Sequence, residues 1–270
     1  MTGGYVEKSF APAPADLEAI GAFTRRAFAP EELYVFSVVL CNNDVDRDHE
    51  KFTRRALEEL GALFVGKTGI FDHSMKSGDQ AARIYATAVV PVPGRKTADG
   101  EDLVTLQAKA YMVRTPGNAE LITQIDGGIK KEVSVSCAMG SAVCSLCGAD
   151  RRSGGCSHVP GRSYDGKVAF TVLSDATDAY EWSFVAVPAQ REAGVVKHYD
   201  SSKGDKTVTE NDVRKTLQNS KGAVTDSWTP WSRRPSWAKA TSRSWLPRWY
   251  VCAPGCCLRW SWACLRAWPG

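Results

Sequence analysis

The stretch Glu132-Val-Ser-Val-Ser-Cys137 is the centre of this sequence, because it is a strand-like run that leads directly into a set of metal-binding residue types. Valine and serine alternate along it, and successive side chains of a strand point to opposite faces of the sheet. We therefore expect Ser134 and Ser136 to share one face, with Val133 and Val135 on the other. A strand with a simple polar face is the commonest meaning of this pattern.

Three cysteines and a histidine follow this strand in a short stretch. They are Cys144, Cys147, Cys156 and His158. The first two form a Cys-x-x-Cys motif, the last two form Cys-x-His, and residues 148–155 separate the two pairs. Two thiolates from a tight turn and a second Cys/His pair supply the four ligands of a closed structural zinc site. The spacing predicts structural Zn²⁺, held by a loop that we place at residues 138–165.

Two other uses of these residues are less favoured. A catalytic zinc keeps one coordination position open and usually has a nearby Glu, whereas four protein ligands fill the site. A redox Cys-x-x-Cys pair would leave Cys156 and His158 without a role, although they stand in ligand spacing. We expect the metal loop to support the strand of Ser134 and Ser136.

The composition is that of a soluble globular protein of ordinary size. The chain has 270 residues, a net charge of +4 and nine cysteines. Its first residues, Met1-Thr-Gly-Gly-Tyr5, lack the basic and apolar regions of a signal peptide, and no apolar run is long enough to span a membrane. Cysteines in ligand spacing then favour a reduced, cytosolic protein over a disulfide-bonded one.

Hydrophobic patterning predicts an α+β domain in which strands outnumber helices. Strands are expected over Tyr34–Cys41, Arg83–Val90, Leu103–Val113, Lys167–Leu173 and Tyr180–Val187, and helices over Phe52–Phe64 and from Thr115 to about Asp126. No strand–helix–strand rhythm occurs, so a closed or half-closed antiparallel sheet flanked by a few helices is favoured over a parallel sheet.

The chain divides into three parts by composition. Residues 1–31 form an N-terminal extension, residues 32–199 the domain, and residues 200–270 a basic tail. Eight of the nine tryptophans lie between Trp228 and Trp268, mixed with Arg, Pro and Cys. A helix can begin near Asn211. From about Ala223 onward we interpret the sequence as an aberrant or frame-shifted C-terminus, with a membrane-interface segment as the minor alternative.

A serine becomes a nucleophile only when a base takes its proton, so the histidines are informative. Of the four in the chain, His73 ends the short apolar run Gly69-Ile-Phe-Asp and enters a loop, where catalytic groups often lie. Glu181 stands within an apolar strand, where a carboxylate is unfavourable unless it is paired. It can orient a histidine, or it can face water on an edge strand, and Asp72, Asp175 and Asp178 are rivals for the orienting role.

Four segments in this order resemble the prohead (capsid) maturation proteases of tailed phages. They are Phe71-Asp-His73, Ala82-Arg-Ile84, Glu132-Val-Ser-Val-Ser136 and Glu181-Trp-Ser-Phe-Val-Ala-Val-Pro-Ala-Gln190. The resemblance covers about residues 34–197. It implies a barrel similar to that of the herpesvirus assemblins.

The resemblance also implies catalytic roles, with Ser134 as nucleophile, His73 as base and Glu181 as the orienting third member. Ser136 replaces the family's usual Gly, which leaves the choice between the two serines open. Ala82 and Gln190 replace a common Gly and Asn.

The activity implied by this resemblance is that of a serine endopeptidase. Its expected substrates are the scaffold protein, the major capsid protein and the enzyme itself, inside assembling proheads in the host cytoplasm. Partners would be the portal and prohead assembly and a possible second copy of the chain, with no specific nucleic acid and no membrane. The alternative is an inactive, zinc-stabilised assembly or scaffold protein with the same fold.

Overall fold

The computed structural model describes residues 12–196 and 208–227. The helices in this part are α1 (Pro14–Gly21), α2 (Arg54–Phe64), α3 (Ala119–Asp126) and α4 (Glu210–Ser227). The strands are β1 (Leu33–Asn42), β2 (Glu50–Phe52), β3 (Thr68–Phe71), β4 (Ala82–Lys96), β5 (Asp102–Val113), β6 (Val133–Cys144), β7 (Ser163–Tyr164), β8 (Lys167–Val168), β9 (Thr171–Phe184) and β10 (Gly194–Val195). Short 3₁₀ turns lie at Pro30–Glu32, Ser77–Asp79 and Pro116–Asn118.

One large sheet carries the fold, in the order β10-β1-β5-β4-β3-β9-β2, with β6 paired to β9 off this path. All of its pairs are antiparallel except those that join β9 to β2 and to β3. The strands β7 and β8 form a separate hairpin. The predicted α+β class with a mostly antiparallel sheet is therefore confirmed.

The expected closed barrel is not found. The two ends of the sheet approach each other at β10 and the start of β6. They are joined there by one isolated bridge between Glu132 and Gly194 and by hydrogen bonds from Val133 to Ala193 and from Val195 to Lys131. Because β10 has only two residues, it cannot extend this contact into a full ladder.

The last long strand differs from its prediction. Two strands were expected, separated by the polar residues 174–179, but the single strand β9 continues through those residues and ends at Phe184, while Lys167–Val168 form β8. Those polar residues continue the pairing with β6 through two register shifts, and Asp175 adopts a left-handed backbone with φ 56°. A β-bulge allows a strand to continue through polar residues. The polar composition of residues 174–179 therefore suggested a break at a place where the strand continues.

Helix α2 confirms its predicted amphipathic pattern. Thr53 caps it by accepting a hydrogen bond from the amide of Ala56. The buried face, which includes Leu57, Leu60 and Phe64, packs against β4, β5 and β9. This packing fills the core on one side of the sheet, behind the strands that carry His73 and Glu181.

A second apolar cluster lies where α1 and α4 pack together and against β4. Val213 and Leu217 of α4 are buried in it, as is Ile20 of α1. The helix predicted near Asn211 is thus present and begins at Glu210. Residues 228–270, which hold most of the tail interpreted as aberrant, lie outside the described residues. Within the described part, none of the helices combines the length and apolarity that a membrane span requires.

A close approach at Gly69 sets the spacing of β3 and β9. A Cβ atom at Gly69 would lie 2.4 Å from the ring of Trp182, which is fully buried beside Phe36 and Phe184. Only glycine leaves room for the indole at this point. The pairing of Gly69 with Trp182 places the end of β3, and therefore His73, beside the last residues of β9.

Candidate active site and metal centre

His73 lies in a tight turn at the end of β3. Asp72 and His73 both have left-handed backbone conformations, with φ 48° and 56°, and the amide of Ser74 donates to the carbonyl of Phe71. The amide of Asp72 donates to the carbonyl of Phe184, which fixes the turn to the end of β9. Non-glycine residues adopt this conformation at some energetic cost, and they persist in it where the surroundings hold them.

Glu181 is buried in β9, with 1% of its side chain exposed, and pairs with the imidazole of His73. Its Oε1 lies 2.7 Å from Nδ1 of His73, and its Oε2 accepts a 2.7 Å hydrogen bond from the hydroxyl of Ser183. The interpretation of Glu181 as a water-facing edge residue is excluded by this burial. Sequence reasoning paired these two residues only through the family resemblance, and the parallel β3–β9 contact brings them together.

Ser136 lies opposite Glu181 in the β6–β9 ladder, and its Oγ is 3.2 Å from Nδ1 of His73. Its hydroxyl also hydrogen-bonds to the carboxylate of Glu181, which lowers the pKa of Glu181. Because an ionised carboxylate accepts only, we assign the ring proton of His73 to Nδ1, from where it is donated to Glu181. In this tautomer Nε2 is the ring atom that can accept a proton.

Ser134 lies two residues from Ser136 on the same face of β6, opposite Ser183. It is partly exposed, and no side-chain hydrogen bond to it is found within residues 12–196 and 208–227. The structure therefore places Ser134 beside the pair of His73 and Glu181 without joining it to the imidazole. The hydroxyl in hydrogen-bonding distance of the ring is that of Ser136.

The electrostatics of the pair favour an ionised Glu181 and a more basic His73. Burial opposes the charge on Glu181, but hydrogen bonds from His73, Ser136 and Ser183 outweigh it and hold the pKa of Glu181 below its ordinary value. The hydrogen bond to Glu181 raises the pKa of His73, burial lowers it, and the charges of Glu181 and Asp72 raise it further. A carboxylate that orients an imidazole in this way stabilises the imidazolium form.

The four predicted metal ligands come together at the far end of β6. The ligand atoms of Cys144, Cys147, Cys156 and His158 all lie within 4.8 Å of one another. The sulfur atoms of Cys147 and Cys156 are 3.5 Å apart. Nδ1 of His158 lies 3.6 Å from the sulfur of Cys156 and 3.7 Å from the sulfur of Cys144. The four residues predicted from the sequence therefore lie close together and could hold a metal ion.

Two arginines join the loop of the Cys/His cluster to the sheet by hydrogen bonds. Arg151 donates to the carbonyls of His158 and Phe170, and Arg152 donates to those of Met139 and Gly140 on β6. The ligand Cys144 is itself the last residue of β6 and is buried. Burial disfavours its thiolate, but the amides of Cys147 and Leu146 and the neighbouring thiols lower the pKa of Cys144 to about 6. A ligand thiol that ionises this readily suits metal binding.

Sequence reasoning did not single out Ser183, although the structure makes it a central residue of the site. Its Oγ is fully buried, donates to Glu181 and accepts a 3.0 Å hydrogen bond from the amide of His73. The available signal was its place two residues after Glu181, because alternate residues of a strand share a face.

The structure also shows the contacts of Gln190. Its side-chain amide accepts a hydrogen bond from the N–H of Asn42 and donates one to the C=O of Asn42, at the end of β1.

No family model, no curated protein and no solved structure matches this chain.

Proposed function

We propose that this chain is a serine endopeptidase of the prohead maturation type. The observation that carries the proposal is the hydrogen-bonded pair of His73 and buried Glu181, set against the serine-bearing face of β6. A carboxylate that holds Nδ1 of an imidazole, beside a strand with two hydroxyls, supplies the three roles of a serine-hydrolase triad. The four sequence motifs that resemble the phage enzymes support the narrower assignment.

In the proposed reaction, Ser134 attacks the carbonyl carbon of the substrate peptide bond. Nε2 of His73 takes the hydroxyl proton and returns it to the leaving amine, so that an ester to Ser134 forms as the peptide bond breaks. Water, deprotonated by the same nitrogen, then attacks the ester carbon; the bond to Oγ of Ser134 breaks, and Oγ takes the proton back from Nε2 as the acid is released. Glu181 keeps the proton on Nδ1 throughout and stabilises the imidazolium that forms in each step.

The choice of Ser134 over Ser136 follows from the hydrogen bonds. Ser136 faces the side of the ring that Glu181 already occupies, and its hydroxyl contributes to holding the carboxylate ionised. Ser134, about 7 Å along the strand, is partly exposed and its hydroxyl is uncommitted within the described residues. Ser136 is the second candidate because of its 3.2 Å contact with Nδ1, which would serve catalysis only in the opposite tautomer.

We propose Zn²⁺ as the metal at the Cys/His cluster, in a structural role. Four protein ligands, three of them sulfur, are typical of closed zinc sites. A tetrahedral zinc with Zn–S of ~2.3 Å has edges of about 3.8 Å between sulfur atoms and about 3.6 Å between sulfur and nitrogen. The sulfur–nitrogen distances of 3.6 and 3.7 Å in the cluster agree with this geometry, and the sulfur–sulfur distance of 3.5 Å is slightly shorter than it.

The proposed substrates are the scaffold protein, the major capsid protein and the chain itself. The proposed place of action is the assembling prohead in the host cytoplasm, in association with the portal and prohead assembly. A homo-oligomer, and the absence of a specific nucleic-acid or membrane partner, belong to the same proposal. These assignments rest on the motif resemblance, because the geometry of the site supports peptide hydrolysis without naming the protein that is cut.

The nucleophile can be tested with a fluorophosphonate, which phosphonylates activated serines of hydrolases. Wild type, Ser134→Ala and Ser136→Ala are incubated with the probe, and the labelled peptide is identified by mass spectrometry. Labelling at Ser134 that only Ser134→Ala abolishes is the expected result. Labelling at Ser136 moves the nucleophile, and the absence of any label in folded wild type discards the hydrolase proposal.

The proteolytic assignment is tested by expressing the chain together with its capsid and scaffold proteins. We expect shortened capsid and scaffold masses with wild type and intact masses with Ser134→Ala. If the capsid and scaffold masses stay intact with wild type as well as with Ser134→Ala, the inactive assembly protein is favoured.

The metal proposal is tested by elemental analysis. About one zinc per wild-type chain is expected, with clear loss in Cys147→Ser.

A further inference from the structure

Ser183 joins the backbone of His73 to the carboxylate of Glu181. A backbone N–H can only donate, so the hydroxyl of Ser183 must accept from the amide of His73 at 3.0 Å. Its single proton is then available for Oε2 of Glu181, which lies 2.7 Å away. Because the side chain is fully buried, water does not compete for either contact. The direction of both hydrogen bonds is therefore fixed.

The two hydrogen bonds of Ser183 close a ring with the catalytic pair. It runs from the amide of His73 through the hydroxyl of Ser183 to Oε2 of Glu181, and from Oε1 back to Nδ1 of His73. Each carboxylate oxygen has its own donor, so the carboxylate is held in one orientation. That orientation presents Oε1 to the imidazole and keeps the ring proton on Nδ1.

The backbone at His73 depends on the same ring. Asp72 and His73 are consecutive left-handed residues, a backbone conformation that is less favourable for residues other than glycine than an extended or right-handed one. Two contacts with the end of β9 hold them: the amide of Asp72 bonds the carbonyl of Phe184, and the amide of His73 bonds the hydroxyl of Ser183. Removal of the hydroxyl takes away the partner of the partly buried N–H of His73, which favours rearrangement of the turn.

We propose that Ser183 is a positioning residue that fixes the orientation and the tautomer of His73 through Glu181. This inference rests on the proposed serine-hydrolase function. It goes beyond that function because it adds a fourth residue, which does not touch the substrate. A purely structural serine would affect stability alone. A positioning serine affects the protonation of His73 and the rate of the chemical step.

The test compares Ser183→Ala and Ser183→Thr with wild type. Ser183→Thr keeps the hydroxyl, and its β-branched side chain suits a strand. The matched control is Ser37→Ala, since Ser37 is a buried serine in β1 outside the site. Two quantities are measured: the titration of His73 by ¹⁵N-detected NMR, and the rate of fluorophosphonate labelling. The charged groups that act on His73 are Glu181 and Asp72, and neither is altered in these variants.

In Ser183→Ala we expect the pKa of His73 to fall towards its ordinary value, because the imidazole is no longer held against Glu181. Labelling should slow by about 10- to 100-fold, the usual effect of a misplaced catalytic group. Ser183→Thr should restore both quantities, and Ser37→Ala should change neither. An unchanged His73 titration and labelling rate in folded Ser183→Ala would overturn the inference, as would a rise in the pKa.

Two further outcomes are separable. If Ser183→Ala does not fold, Ser183→Cys keeps a weak donor at the same place, and the same direction of change is expected from it. If folded wild type is not labelled at all, the hydrolase proposal fails. The NMR titration still decides whether Ser183 controls the protonation of His73, so failure of the inference and failure of the function are told apart.

Discussion

The two ends of β6 are organised in different ways. At its start, Ser134 and Ser136 lie in a continuous ladder with β9, beside a buried carboxylate and the core tryptophan Trp182. At its end, Cys144 enters a loop with little core of its own, in which Cys147 and Val159 are exposed. Both ends of β6 pair with β9, but the second end continues into a loop that this ladder does not hold. A single strand thus connects a site built on the sheet with a loop whose Cys/His cluster could hold a metal ion.

This difference predicts that changes at the start of β6 affect chemistry and that changes at its end affect local order. The largest effect is expected from His73→Ala, which removes the base. If the proposed function is correct, labelling and self-cleavage should fall by about 10⁴-fold or more, as in known serine hydrolases. The melting temperature should also fall, because the buried carboxylate of Glu181 loses its imidazole partner. Residual activity near the wild-type level would show that another group is the base.

The next largest effect is expected from Glu181→Gln. An amide at this place can donate to Nδ1 and so reverse the tautomer of His73, which removes the base from Nε2. We expect a loss of about 10²- to 10³-fold in the labelling rate, smaller than that of His73→Ala. Circular dichroism should show an intact fold. If the labelling rate falls no more than it does in a surface substitution, the proposed role of Glu181 is contradicted.

The pH dependence provides a smaller, graded test. The base must be neutral to accept a proton, and its hydrogen bond to Glu181 raises the pKa of His73 above 6.5. The labelling rate should therefore fall as the pH decreases, by about tenfold per unit below that pKa, with the midpoint above 6.5. In Glu181→Gln the midpoint should move to lower pH. An upward movement would contradict the cause assigned to the shift.

The smallest effect on chemistry is expected from metal removal. Chelation should increase hydrogen exchange in residues 145–162, because these residues bury few apolar side chains. The labelling rate should fall by less than about tenfold, or about 1.4 kcal/mol, since the ladder with β9 holds Ser134 without the ion. Cys147→Ser should behave like the chelated protein. A loss as large as that of His73→Ala would show that the two ends of β6 are not independent.

Local patterns were sufficient for most elements of the fold. The amphipathic spacing of Ala56, Leu57, Leu60 and Leu63 predicted α2, and alternation in the Glu132–Cys137 segment predicted β6 and its serine face. The metal ligands were predictable because all four lie within fifteen consecutive residues. Sequence reasoning failed at β9, where polar residues continue through bulges, and at the expected barrel, where β10 is too short to complete the ladder.

The sequence by itself determined what its short-range spacing encodes: the strand of Ser134 and Ser136, the Cys/His ligand set and the amphipathic helix. The tertiary structure decided which hydroxyl meets the imidazole and how His73 is held. Those contacts join residues 63 to 110 positions apart, through the parallel pairing of β3 with β9 and the antiparallel register of β6. A one-residue change in that register would turn the serines to the other face, so only the assembled sheet could place Ser136 and Ser183 at the site.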